Sequence, residues 1–156
     1  MKGILNIEIE CLKKVSIDYK KIIENCSMFS LVLREEVKLN SSGLDFVKRF
    51  DPFLIKIERI SQWPGTILTD GLADVFYYRL TQDSLNLLDS LESLLILEAP
   101  FSLEDICFYI GNEPFLVTIS HEKDLYFHVN ECELPLLKQK LAQEGIECES
   151  WIPLKT

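Results

Sequence analysis

Two histidines and the acids around them are the residues of this chain whose types and spacing could do chemistry. Ser120-His121-Glu122 is followed by Asp124 and, in the next apolar run, by His128. An imidazole beside carboxylates can act as a general base near neutral pH, because unperturbed histidine titrates at about pH 6.5. One reading is therefore a small enzyme using His121 and Glu122 at the 120–124 turn. The competing reading is a hairpin turn whose polar groups face water. The spacing argues against a Ser-His-Asp triad: adjacent residues at one strand end do not reach each other in the required order, and no GxSxG elbow is present. It also argues against a metal site, since His121 sits in a turn and His128 deep in the following strand, so a third ligand would have to come from elsewhere. Nothing matches a Gly-rich phosphate loop, an HExxH helix or an EF-hand loop. Neither a cofactor nor a metal is expected.

The stronger signal is charge. From Leu80 to Glu122 there is no Lys or Arg, while Asp83, Asp89, Glu92, Glu98, Glu104, Asp105, Glu113 and Glu122 all fall in that stretch. Residues 1–60 hold 11 Lys or Arg against 9 Asp or Glu, and residues 61–156 hold 5 against 16, for a net charge of −9 overall. A one-signed acidic field attracts cationic partners and repels nucleic acid and anionic lipid. The expected partner is a basic protein. Glu104, Asp105, Glu113, Glu122 and Asp124 are the acids expected to meet it. Trp63, in a turn, and Tyr77 or Tyr78 are the candidate aromatic anchors, with Trp63 more simply a staple over the core. Tyr77 and Tyr78 are consecutive, so in a strand one of them faces away from the core.

These residues need elements to hold them. Gly3–Glu10 alternates apolar and polar residues, as a half-buried strand does. Ser16 suits an N-cap before a short helix over 17–24. Strands are expected at Met28–Leu33, with Glu35–Leu39 extending or pairing with it, and at Phe53–Ile60 and Val75–Leu80. Short helices are expected from a Ser42 cap to Phe50, ended by Asp51-Pro52, and from a Thr81 cap through Leu94. Trp63-Pro64-Gly65-Thr66 reads as a turn. Ser102 suits the cap of a single turn holding Glu104 and Asp105. Strands at 106–110, 115–120 and 125–129, joined by four-residue turns, read as an antiparallel meander. A helix over Leu134–Gln143 with Gly145 just beyond it, and a last edge strand over 146–151, complete the pattern. The fold class is α+β: a two-layer single domain over residues 1–156, with an antiparallel or mixed sheet and helices packed mainly on one face.

The 156 residues suffice for a core without staples. Five widely spaced cysteines, Cys11, Cys26, Cys107, Cys132 and Cys148, form no CxxC and no even framework, so they read as small apolar residues. Cys132 lies between Glu131 and Glu133, whose charges oppose a reactive thiolate. The longest apolar clusters, such as Leu94–Leu97, fall far short of the roughly 20 residues of a membrane-spanning helix. No secretory h-region follows Met1, so the cytoplasm is the expected compartment.

Trp63-Pro64-Gly65-Thr66, Leu103-Glu104-Asp105-Ile106-Cys107-Phe108-Tyr109 and Pro114–Glu122 resemble a recurring pattern in small uncharacterised bacterial proteins, over roughly residues 60–128. That resemblance implies no activity. In size and acidity the chain also resembles, as a class, the immunity proteins of bacterial toxin systems. The leading expectation is a non-enzymatic interaction protein, immunity-like, that blocks a basic partner by charge and bulk. The alternatives are the His121/Glu122 enzyme and a structural or regulatory module that self-associates through a strand edge.

Overall fold

The computed structural model describes residues 2–7, 19–89 and 97–154. The expected Ser16 cap, the end of the first strand, Cys11, and the helix beyond Asp89 lie outside those residues. Eight strands form one sheet in which every pairing is antiparallel. They are β1 (Lys2–Ile7), β2 (Met28–Arg34), β3 (Leu54–Ile60), β6 (Ala73–Arg79), β7 (Glu104–Ile110), β8 (Glu113–Ile119), β9 (Asp124–Asn130) and β10 (Cys148–Pro153). Their order across the sheet is β10-β1-β9-β8-β7-β2-β6-β3. The short strands β4 (Gln62–Trp63) and β5 (Thr66–Ile67) pair with each other as a separate hairpin.

Helices α1 (Tyr19–Ile22), α2 (Ser41–Phe50), α3 (Gln82–Asp89) and α4 (Leu134–Gln143) lie between strands. Asn40, not Ser42, caps α2: its side-chain oxygen accepts from the Gly43 N–H at 2.9 Å. Asp51-Pro52 does not end the helical path at once, because Asp51–Phe53 continues it as a 3-10 turn. At α3, the Thr81 hydroxyl accepts from the Ser84 N–H at 3.2 Å, and Ser84 Oγ accepts from the Thr81 N–H at 2.8 Å. That reciprocal exchange satisfies two donors left over at a helix start. After α4, Gly145 takes φ 75° and the Ile146 N–H reaches back to the Leu141 carbonyl at 2.9 Å. Residues 35–39 form a turn and coil rather than the expected strand extension.

Alternation along the strands sorts the side chains onto two faces. One face supplies the main core: Leu5, Phe29, Leu31, Tyr78, Ile106, Phe108, Leu116 and Phe127 pack with Ile22, Phe50, Leu88, Leu137 and Leu141 from the helices. The other face carries two smaller clusters. Val32, Ala73 and Val75 pack under Trp63, and Cys107, Tyr109 and Val117 pack with Met28, Tyr77 and Tyr126. The β4–β5 hairpin folds onto this second face. At its tip Gly65 has φ 92°, and a Cβ there would stand 3.1 Å from both Val117 and Ile119 of β8. Glycine is therefore required both by the backbone conformation and by the close approach.

Candidate functional site

The hairpin is held down by a buried acid. Asp105 Oδ2 accepts from Trp63 Nε1 at 3.1 Å, and its Oδ1 accepts from the Ser120 N–H at 2.8 Å. The Asp105 N–H in turn donates to Ser120 Oγ at 2.9 Å. Asp105 is 1 % exposed and sits at φ 55°, a left-handed conformation that few non-glycine residues adopt and that Asp tolerates better than most. Beside it Glu104 is 7 % exposed, with Arg34 Nε at 3.8 Å. Burial and the neighbouring Asp105 push the Glu104 carboxyl above its ordinary value, opposed by a backbone hydrogen bond at Ala99 and by the Arg34 and His121 charges. The Arg34 guanidinium lies 5.7 Å from the centre of the Trp63 ring.

These positions correct two expectations. Glu104 and Asp105, expected in a single turn capped by Ser102 and among the acids meeting a partner, instead begin β7, and both are buried. They hold the fold together rather than facing a partner. Tyr78 is 0 % exposed, stacked on Phe29 at 5.2 Å, so it is core and not an anchor. Its neighbour Tyr77 takes the opposite face and is half-buried, with the Lys56 ammonium 4.8 Å from its ring centre. Trp63 is buried, as a staple is.

The remaining acids divide between the two ends of the β8–β9 pair. Glu113 opens β8 at one end and binds Lys2 at 2.9 Å. That contact holds its carboxyl below the ordinary range. Asp124 opens β9 at the other end, half-buried, with Oδ1 accepting from the Leu125 N–H. Glu122 is exposed next to His121, 4.0 Å away, on a 3-10 turn over Ser120–Glu122.

Between those ends lies a groove of about 640 Å³. The hairpin, from Gln62 to Ile67, forms one wall. Val117 and Pro114 of β8 and Tyr126 and His128 of β9 form the floor. Asp124, Tyr126 and His128 share one face because they alternate along β9. Burial pushes the Tyr126 hydroxyl up to about 12. His128 Nδ1 is enclosed and has no hydrogen-bond partner among the described residues, and burial together with the Lys2 charge lowers its imidazole below the ordinary value, with Glu113 pulling the other way. The groove shares Pro114 and His128 with an adjoining hollow of about 270 Å³ that also holds Lys2, Glu113, Asn130 and Glu133. The first has Tyr126 on its floor, and the second is lined by the Glu113 and Glu133 carboxylates. His121 and Glu122 line neither.

Among the described residues no three His, Cys, Asp or Glu side chains are grouped to hold a metal ion. Cys26 and Cys107 are buried, and burial pushes the Cys26 thiol up to about 12 and the Cys107 thiol higher. Neither is poised as a nucleophile at neutral pH. Among the described residues no helix is long and apolar enough to cross a membrane.

No protein-family model, curated protein or solved structure matches this chain. Any reading of function therefore starts from the groove. Sequence reasoning picked out neither Tyr126 nor His128 as lining residues. The available signal was their alternation with Leu125, Phe127 and Val129, which are all buried in the main core.

Proposed function

We propose that this protein is a non-enzymatic acidic interaction module, immunity-like in kind, that binds a basic protein partner and occludes it by charge and bulk. The observation that carries the reading is the groove and the cation beside it. An internal ammonium, that of Lys2, already sits on Glu113 in the adjoining hollow, which Glu133 also lines. A partner Lys or Arg competes for the same carboxylates, while an apolar neighbour in its chain lies between Trp63, Pro64 and Ile67 on one side and Tyr126 on the other.

The charge balance supports the same partner. Lys2, Arg49, Lys56, Arg59 and Lys140 are each bound to a carboxylate of the protein itself. Asp70, Asp83, Glu98, Glu122, Glu131 and Glu147 face solvent. Such a surface speeds the approach of a basic protein and makes the on-rate fall with ionic strength. The finer architecture belongs to this reading too: a C-terminal β-meander, and helices packed mainly on one face that leave the groove face to the partner. So does the cytoplasmic location.

The test is capture from the native host, followed by kinetics. Wild-type protein is expected to retain a basic protein whose on-rate drops steeply with salt. Glu113→Gln with Glu133→Gln, and separately Tyr126→Ala, are expected to weaken retention. A captured partner bound equally well by all three, or an on-rate insensitive to salt, overturns the proposal.

A further inference from the structure

Among the described residues the sheet ends at β3, which has β6 on one side and no strand on the other. Strands left open in this way usually carry a device against pairing with another chain. β3 is seven residues long and contains no proline, and the devices it does carry, a bulge at Ile55 and the Lys56 side chain, lie in its first three residues. Ile55 and Ile57 are 47 % and 49 % exposed, although isoleucine is among the residues most often buried. The order of its residues is also self-complementary. Turned antiparallel about Ile57, the strand sets Lys56 opposite Glu58, Glu58 opposite Lys56, Ile57 opposite itself, and Leu54 opposite Ile60. Opposite charges directly across an antiparallel pair stabilise it, and like charges destabilise it.

We propose that two copies of this chain pair through β3, antiparallel about Ile57, to join their sheets. The pairing works whichever edge groups of Ile57 point outward, because either Ile57 or the Lys56/Glu58 pair then supplies the hydrogen-bonded position. Lys56 and Glu58 are bound to each other at 2.7 Å within one copy, on the side chains' solvent-facing parts. In the pair they form a four-membered ladder of alternating sign. Register in β3 skips between Leu54 and Lys56, so Ile55 is a bulge, and the regular run from Lys56 to Ile60 contains Ile57 and both of its charged neighbours. A two-fold pair of identical edges closes on itself and consumes both edges. The surface is small for a protein interface, and the affinity expected is on the order of micromolar. This inference goes beyond the basic-partner reading and uses none of the groove residues.

The experiment is sedimentation equilibrium on the full chain across a concentration series. Wild-type protein is expected to go from monomer to dimer. Lys56→Glu alone places Glu opposite Glu twice, and Glu58→Lys alone places Lys opposite Lys twice. Each is expected to weaken the dimer by about tenfold or more while leaving the far-ultraviolet circular dichroism unchanged. An equimolar mixture of those two variants restores complementarity across the pair, and heterodimers are expected. The double exchange in one chain is expected to restore the homodimer. A wild-type protein that stays monomeric at its highest soluble concentration overturns the proposal, even if its edge accepts a strand from another protein. So does a dimer that the single variants leave intact, or a mixture that does not re-pair.

Discussion

Trp63 and Asp105, 42 residues apart, are joined by one buried hydrogen bond of 3.1 Å from the indole N–H to the carboxylate. It ties the β4–β5 hairpin to the start of β7 and so fixes one wall of the groove. Because both groups are buried, the loss of either leaves the other unsatisfied in a poorly hydrated place. Trp63→Phe removes the donor and is expected to cost about 1–3 kcal/mol. Asp105→Ala removes both acceptors and leaves a Cβ residue at φ 55° with no side-chain compensation, so the expected cost is larger, about 3 kcal/mol or more. Urea denaturation midpoints measure both. Equal stability of Asp105→Ala and wild type would show that the clasp contributes nothing.

The Tyr78 hydroxyl is buried and has no hydrogen-bond partner among the described residues. The ring does the packing, against Phe29, Phe50 and Phe76. Tyr78→Phe keeps the ring and deletes the unsatisfied group. It is expected to be neutral or to stabilise by about 1 kcal/mol. A thermal melt showing clear destabilisation would reveal a partner for the hydroxyl.

Glu104 gives a pH signature. Its folded carboxyl titrates above the ordinary carboxylate range, so the folded state holds the proton more tightly than the unfolded chain. Stability from this group is greatest below the unfolded carboxylate value and is lost as pH rises through the folded value. Glu104→Gln is isosteric and cannot ionise. It is expected to melt a few degrees higher than wild type at pH 7 and to match it near pH 4. The same offset at both pH values would remove titration as the cause.

His128 runs the other way. Its imidazole titrates below the ordinary value, so the unfolded chain takes up the proton first. Stability from this group is complete above about pH 6.5 and falls as pH drops from there to the folded value. Where the two windows overlap, the Glu104 and His128 slopes oppose each other, so each variant exposes the other's slope. His128→Leu also removes the enclosed Nδ1, which has no partner among the described residues, and is expected to hold its stability between pH 6.5 and pH 5 better than wild type. Chemical denaturation across that interval measures it.

Gly65 tests the close approach of the hairpin to β8. Gly65→Ala forces a side chain into positive φ and brings a Cβ to 3.1 Å from Val117 and Ile119. A loss of about 1–2 kcal/mol is expected. Retention of full stability would mean that the tip shifts freely, which would also change the groove.

The local pattern was largely legible. Alternation marked β1 and β3, short runs between turns marked β7, β8 and β9, and the helix over Leu134–Gln143 emerged with the bounds read from the sequence. Parity required one of Tyr77 and Tyr78 to face away from the core, but which one depends on which face of the sheet the main core covers. Glu104 and Asp105 were misread for a different reason. Acids are depleted in strands, so two in a row suggest a turn. What makes a strand possible there is the set of partners, Trp63 and Ser120 for Asp105 and Arg34 for Glu104, and no local window contains them. The groove is non-local in the same way, since its floor and wall come from segments about 50 residues apart in the chain. Charge patterning gave the sign of the surface but not the location of the acids, because a run of carboxylates in sequence need not share a face.

The place of β1 has a consequence for synthesis. Lys2–Ile7 sits between β9 and β10, both made long after it. While the chain is still growing on the ribosome, this apolar segment has emerged but neither neighbour exists. The rest of the sheet must therefore wait for, or form without, a fully paired β1, and a nascent chain stalled before Asp124 would present that strand to chaperones or to other chains.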